Sequence, residues 1–411
     1  MNLLKSLLKR DVFKQLSWYT LAQIVVQGVA FLSAIIVTRY LGPTNLGLYS
    51  FVQNYVGTLL TVGGGLDFYF TWKIAKSDNH FKDLQIFVGY KFSIYAFLSV
   101  IGIVLAWIIL PRDIALMVSI MLALVAVQSL SIFSIYIIVT NRARLMSTIQ
   151  IVTSVALLGI KVLLVFFKAP LYSFVIVSGI DLILTGVLVS IYLLKEPEWK
   201  NFFVGFKVPT LMNSVIFLYT IRLSILAIVF WQLLLRIDQV ILATLSNAYT
   251  LGIYSAAVKI AEVPNFLAGV LSAALISRMA YISNRDDINS KKRLQKIMLT
   301  YLSVGVIITV SIIVFAPIAV HILYGTKFTD SIPVLRAYSL SIPGMFMNYF
   351  FLGIYGARDK QHHQVGIFGT ALVVNIALVY LLTPIFGIIG TALATSVAYT
   401  VSAFGFYYNL K

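Results

Sequence analysis

Cysteine is absent from all 411 residues, which excludes disulfides, thiolate metal sites and cysteine nucleophiles. Charge is also scarce: 11% of residues are charged against 60% hydrophobic, so an ordinary soluble domain is excluded. Carboxylates are the scarcer sign, with 14 Asp and Glu against 31 Lys and Arg, for a net charge of +17. Only four histidines occur, His80, His321, His362 and His363. The adjacent pair lies in a short basic stretch that reads as a solvated loop before it reads as a metal site. Long polar stretches are missing, which leaves no room for an external catalytic domain or an ATPase domain. Neither a GxxxxGK[ST] loop nor a spaced metal constellation is present.

What remains is apolar and blocked. About twelve runs of roughly 19–25 residues follow one another, each long enough to cross about 30 Å of hydrocarbon as a helix. They fall near 16–40, 46–68, 87–110, 114–139, 149–167, 171–194, 224–245, 251–277, 297–324, 332–356, 364–382 and 385–408. The first is too long for the core of a cleavable signal peptide and has no small-residue cleavage site. The expected fold class is therefore an all-α integral membrane protein.

The placement of the basic residues sets the expected topology. Lys5, Lys9, Arg10 and Lys14, the stretch 73–91, Arg142 with Arg144, 195–222, 278–296, and Arg358 with Lys360 occupy alternate loops. About 23 basic residues fall on that side and about five (Arg39, Arg112, Lys168, Lys327, Arg336) on the other. Both termini are expected in the cytoplasm, with anionic lipid rather than nucleic acid as the partner of the excess charge. Residues 1–15 and 200–222 mix Leu, Phe and Lys in the manner of helices that lie on the inner surface.

The chain also repeats itself. Leu46-Gly47-Leu48-Tyr49-Ser50 opens the second apolar block and Leu251-Gly252-Ile253-Tyr254-Ser255 opens the eighth, 205 residues later. Pro111 and Pro317 follow at nearly the same offset, and Ala169-Pro170 and Thr383-Pro384 turn the fifth block of each half into the sixth. The polar run around Lys195-Glu196-Pro197-Glu198-Trp199-Lys200 separates the halves. The expected organisation is an N-terminal lobe 1–195, a cytoplasmic linker 196–222 and a C-terminal lobe 223–411. Each lobe would hold six helices, and duplicated bundles of this kind place substrate at the repeat interface, here a central cavity.

Charges inside the apolar blocks cost at least about 2.5–3.5 kcal/mol each, so they mark pairs or polar cavities. In the seventh block Gln232, Arg236 and Gln239 fall at i, i+4 and i+7, one stripe of a continuous helix. Asp238 points elsewhere on the same turn. The eighth block places Ser255, Lys259 and Glu262 on one face. Counting from the hairpin between these blocks puts Arg236 and Lys259 at one depth, roughly 12–14 Å below the outer surface. Asp238 and Glu262 could neutralise them or orient them. Gln23 and Gln27 in the first block and Asn54 in the second give the other half its polar faces. Lys161 and Asp181, at similar depth in the fifth and sixth blocks, read as an ion pair, with a carboxylate for ion coupling as the alternative. Gly63-Gly64-Gly65 is a hinge or a close packing site.

Arg39-Tyr40-Leu41-Gly42-Pro43 followed by the first repeat motif resembles the signature of the Wzx-type polysaccharide flippases. These form the polysaccharide-transporter branch of the multidrug/oligosaccharidyl-lipid/polysaccharide exporter superfamily, whose fold is shared with the MATE transporters. Gly65-Leu66-Asp67 with Trp72-Lys73-Ile74-Ala75, and Asp238-Gln239-Val240-Ile241-Leu242 with the second motif through Lys259, are similar to further family segments. Where the family often has an Arg, this chain has Trp72 or Lys73. The resemblance implies a non-enzymatic flippase that carries an undecaprenyl-diphosphate-linked oligosaccharide to the outer leaflet by alternating access of two lobes. It further implies a polysaccharide polymerase and a chain-length regulator as partners, no resident cofactor, and leaves H⁺ or Na⁺ coupling open. A multidrug exporter and a lipid II flippase are the rivals within the superfamily. A membrane glycosyltransferase or polymerase is the rival outside it, disfavoured by the short outer loops.

Overall fold

The computed structural model describes residues 2–75, 80–140, 142–200, 202, 204, 206–283, 288–357 and 361–410. The basic runs around 285–287 and 358–360 lie outside the described residues. So do the side chains of Lys5, Lys9, Arg10, Lys14, Tyr19, Trp72 and His362.

Helix is the only regular structure among the described residues. The first part of the chain forms α1 (Asn2–Ala75), α2 (His80–Ile109), α3 (Arg112–Val125), a 3-10 stretch Ala126–Ser131, α4 (Ile132–Val139), α5 (Ala143–Phe166) and α6 (Leu171–Leu194). After a short 3-10 turn at Pro197–Trp199 come α7 (Leu211–Thr220), α8 (Arg222–Leu234), α9 (Ile237–Leu245), α10 (Ala248–Ala261) and α11 (Val263–Ser283). The chain ends with α12 (Ile288–Tyr324), α13 (Ser331–Ser339), α14 (Ile342–Ala357) and α15 (Gln361–Leu410).

Seven continuous helices among the described residues are long and apolar enough to cross a membrane. Two of them are too long for one crossing. The 51 residues Leu21–Thr71 would reach about 76 Å as a straight rod, more than twice a hydrocarbon core. Gly42 resolves this with φ 67°, a left-handed conformation that breaks α1 into two rods, and Pro43 starts the second where its missing N–H costs nothing. Gly387, at φ 60°, divides the 47 apolar residues of α15 in the same way. The bend expected at Thr383-Pro384 thus falls three residues later, because Gly and not Pro supplies the positive φ. Counting these rods, and joining α8 with α9, α10 with α11 and α13 with α14, accounts for the twelve or so blocks of the sequence.

Contacts divide the chain into two compact units, Met1–Val37 with Tyr55–Ile225, and Thr38–Asn54 with Leu226–Lys411. Residues 38–54, counted from the sequence with the first lobe, group with the second half of the chain. Gly47 and Gly252 are the cause. A Cβ on Gly47 would lie 1.8 Å from the Ala248 carbonyl oxygen, and a Cβ on Gly252 1.8 Å from that of Pro43. The two repeat motifs therefore cross backbone to backbone, each glycine making room for the other helix. Arg39 closes the same region, its guanidinium donating to the carbonyls of Ile322 and Leu323 at the C-terminal end of α12.

Within the first unit the glycine run of the second α1 rod is helical throughout and serves close packing. A Cβ on Gly63 would overlap the Tyr95 hydroxyl at 1.4 Å, and one on Gly65 would meet Ile225 at 2.7 Å. The linker is docked rather than loose. Trp199 and Phe202 are buried among Phe81, Phe133 and Tyr136, and Arg142 pairs with Glu196 at 2.6 Å on the surface.

Candidate functional site

The seventh apolar block is broken at its charged residue. α8 stops at Leu234 and α9 starts at Ile237, with Arg236 as its N-cap residue at φ −133°, ψ −22°. The single stripe expected for Gln232, Arg236 and Gln239 is therefore not a stripe of one continuous helix. The break frees backbone groups and lets Arg236 leave the helical surface, where it is exposed. The eighth block breaks in a matching place, since α10 ends at Ala261 and Glu262 is its C-cap. Asn247 fixes the other end of α10 by accepting from the Thr250 amide at 2.9 Å.

Around these two breaks the second unit collects the expected polar groups. Arg236 donates to Asn54 Oδ1 at 3.3 Å, and Asn54 Nδ2 donates to Gln239 Oε1 at 2.9 Å. Ser255 donates to the same Gln239 oxygen at 3.0 Å. Lys259 Nζ stands 5.5 Å from the centroid of the Tyr49 ring, within cation–π range. Glu262 interacts electrostatically with both Arg236 and Lys259, and the Tyr338 hydroxyl lies 3.5 Å from its carboxylate. Asn54 and Tyr49 come from the segment 38–54, so the motif crossing at Gly47 and Gly252 delivers them to the cations.

Asp238 has neutral partners. Its Oδ1 accepts from the Gln239 amide at 2.7 Å, and its Oδ2 accepts from the Tyr254 hydroxyl at 2.6 Å and from Thr395 at 3.1 Å. Asn375 donates to the same Thr395 hydroxyl at 3.3 Å, and its own Oδ1 is buried without a hydrogen-bond partner. The two motif tyrosines have thus diverged: Tyr49 lies against the Lys259 ammonium, and Tyr254 anchors the buried carboxylate.

The other expected residues lie apart from this cluster. Gln23 donates to Gln150 at 2.8 Å inside the first unit, and Gln27 is exposed in that unit. Gln232 sits partly buried on α8, before the break. Lys161 Nζ is 3.6 Å from Asp181 Oδ2. The pair is not a buried one on both sides, since the lysine side chain is 11% exposed and the aspartate 51%.

The profile of the polysaccharide biosynthesis protein family matches residues 12–283, two thirds of the chain and every group of the Arg236–Lys259 cluster except those on α13 and α15. The chain belongs to the polysaccharide biosynthesis protein family. No curated protein matches its sequence. Among solved structures, this family member is similar to the lipid II flippase MurJ in an inward closed conformation, with a TM-score of 0.75 at 13% identity over 95% of this chain and 87% of that one. An inward-facing multidrug resistance MATE family transporter of the MOP superfamily gives 0.67 at 12% identity, over 92% of each chain. The Vibrio cholerae MATE transporter VcmN gives 0.63 at 15% identity, over 98% and 96%. These likenesses define a MATE-like fold for a multi-pass membrane protein.

The family member holds a further ion pair, which the assignment of 73–91 to a basic loop had missed. Lys91, counted with a basic loop, is fully buried within α2 and donates to Asp67 Oδ1 at 2.5 Å and to Ser131 Oγ at 2.8 Å. Its ammonium also lies 5.4 Å from the Tyr95 ring centroid. Hairpin arithmetic would have found it. Asp67 lies eight residues before the end of α1 at Ala75, and Lys91 eleven after the start of α2 at His80, so the two reach similar depth.

Proposed function

We propose that this protein is a flippase that carries an undecaprenyl-diphosphate-linked oligosaccharide across the bacterial cytoplasmic membrane for surface polysaccharide assembly. The observation that carries the reading is the Arg236–Lys259 cluster. Two cations inside apolar blocks are oriented by the Asn54 amide oxygen and the Tyr49 ring, with the Glu262 carboxylate beside them. A diphosphate is dianionic, and Arg236 offers it a bidentate fork while Lys259 offers a compact charge. Burial of such a ligand against cations relieves the desolvation cost on both sides. Gln239 and Asn54 would line the same path, with Gln232 on α8 just before the break. Family membership supports polysaccharide chemistry over export of organic cations, which would favour an acidic site.

Asp238 is the candidate for ion coupling to H⁺ or Na⁺, because its carboxylate is enclosed by Tyr254, Thr395 and the Gln239 amide, and Glu262 stands beside the cations as a second candidate. Transport would proceed by alternating access of the lobes 1–195 and 223–411 across the linker 196–222, with both termini cytoplasmic. A polymerase and a chain-length regulator would take the product onward.

The test is complementation of a deletion strain, with surface polysaccharide read beside the immunoblotted protein level. Arg236→Gln or Lys259→Gln alone should reduce polysaccharide while the protein stays in the membrane, and Arg236→Lys should keep part of the activity. The double Gln variant should approach the deletion phenotype, with less than additive loss because both groups serve one ligand. Near-normal polysaccharide from a well-expressed double variant would rule the site out.

A further inference from the structure

Helix α7 has apolar side chains on both of its faces, and only one face is covered by protein. The covered face carries Ser214 and Phe217, and Phe217 stacks on Tyr90 at 4.4 Å and contacts Tyr69 at 5.8 Å. Just before the helix, the Lys207 carbonyl and the Pro209 ring pack against Gly89, where a Cβ would come within about 3 Å of both. The helix is thus fixed to the first unit. Its opposite face presents Met212, Val215, Ile216 and Tyr219, at i, i+3, i+4 and i+7, with exposures of 68, 49, 56 and 66%. Such a stripe is not stable against water without a partner. At ten residues the helix is about 15 Å long and cannot cross a bilayer.

Charge identifies the partner. Between Glu198 and Asp238 the chain has no carboxylate side chain, and exposed Lys207 and Arg222 flank the stripe. The Arg222 guanidinium lies 4.0 Å from the Tyr219 ring centroid and donates to the Tyr219 carbonyl at 2.8 Å, so it is held at the end of the apolar stripe. An apolar stripe bounded by oriented cations matches the boundary between acyl chains and headgroups of an anionic leaflet.

We propose that the exposed face of α7 is a docking surface for anionic phospholipid: Met212, Val215, Ile216 and Tyr219 enter the acyl boundary, and Lys207 and Arg222 take the headgroup phosphates. The consequence is that the linker is a leaflet-bound platform packed on the first unit rather than a tether. The proposal requires a membrane protein but not the flippase reading, and its test involves no transport.

The chain is free of cysteine, so Met212→Cys or Ile216→Cys in the full-length protein takes one environment-sensitive fluorophore. The labelled protein is reconstituted into vesicles whose phosphatidylcholine or phosphatidylglycerol carries bromine near the headgroup. Quenching is expected from both lipids and more strongly from the anionic one. Each basic residue near an anionic surface is worth roughly a fivefold enrichment. Replacing both Lys207 and Arg222 with Gln should remove the preference and keep the quenching. Equal quenching of the unmodified surface by the two lipids overturns the anionic assignment. Absence of quenching at both reporters overturns the docking surface, and in that case concentration-dependent energy transfer between labelled copies would assign the face to a second copy of the chain.

Discussion

Lys161 and Asp181 are unequal partners, and the inequality gives a directional prediction. The lysine is nearly enclosed while the aspartate is half exposed. Asp181→Asn leaves an enclosed cation unmatched and should lower folded yield more than Lys161→Met does. The cost stays below the roughly 3–5 kcal/mol of a fully buried pair, because water reaches the aspartate. Replacing both with apolar residues should restore yield, read by fluorescence-detected size exclusion of the membrane-extracted protein. If the Asp181→Asn protein is abundant but inactive in polysaccharide assembly, the carboxylate serves ion coupling instead. The same residue-level logic separates Asp238 from Arg236. They are two positions apart in sequence, but hydroxyl and amide donors hold the carboxylate while Asn54 accepts from the guanidinium. Their charge types were legible in the sequence, and their partners were not, because Asn54 and Thr395 lie 182 and 157 residues away.

At the scale of the element, the crossing of the two motif helices is the most constrained contact in the second unit. Each glycine Cβ would strike backbone, not the flexible end of a side chain, so the neighbour cannot give. Gly47→Val and Gly252→Val are each expected to cost at least about 3 kcal/mol, at the upper end of overpacking penalties. The double variant should not recover. Gly28→Ala, which has open space around the added methyl, is the control and should fold normally. The readout is melting temperature in detergent. Either valine variant melting with the control would show that the helices can part there. The apolar blocks themselves were legible as helices because length and hydropathy suffice for that. The break at Glu262 was legible, since Pro264 two residues on cannot continue the helix; the break at Arg236 was not, since no Pro or Gly stands near it.

For the whole molecule, alternating basic loops predict that both termini and the 278–296 loop face the cytoplasm. A single cysteine at Ile288 should resist an impermeant thiol reagent in intact cells and react after the membrane is opened. Labelling in intact cells would overturn the topology. The division of the chain also matters at this scale. Residues 38–54 belong by contact to the second unit, so the groups that hold Arg236 and Lys259 come from the first repeat while the cations come from the second.

Apolar runs of about 19–25 residues determined that this chain crosses a membrane many times as helix, because the other structure that satisfies its backbone in hydrocarbon, a closed barrel, uses strands about half that length. The duplicated motif pointed to two related halves, and hairpin counting predicted one depth for Arg236 and Lys259. Tertiary structure decided the rest. It assigned Tyr49 to Lys259 and Tyr254 to Asp238, and it interlocked the two motifs through Gly47 and Gly252. Those choices depend on which helices pack together, a matter of long-range contact that local periodicity does not encode.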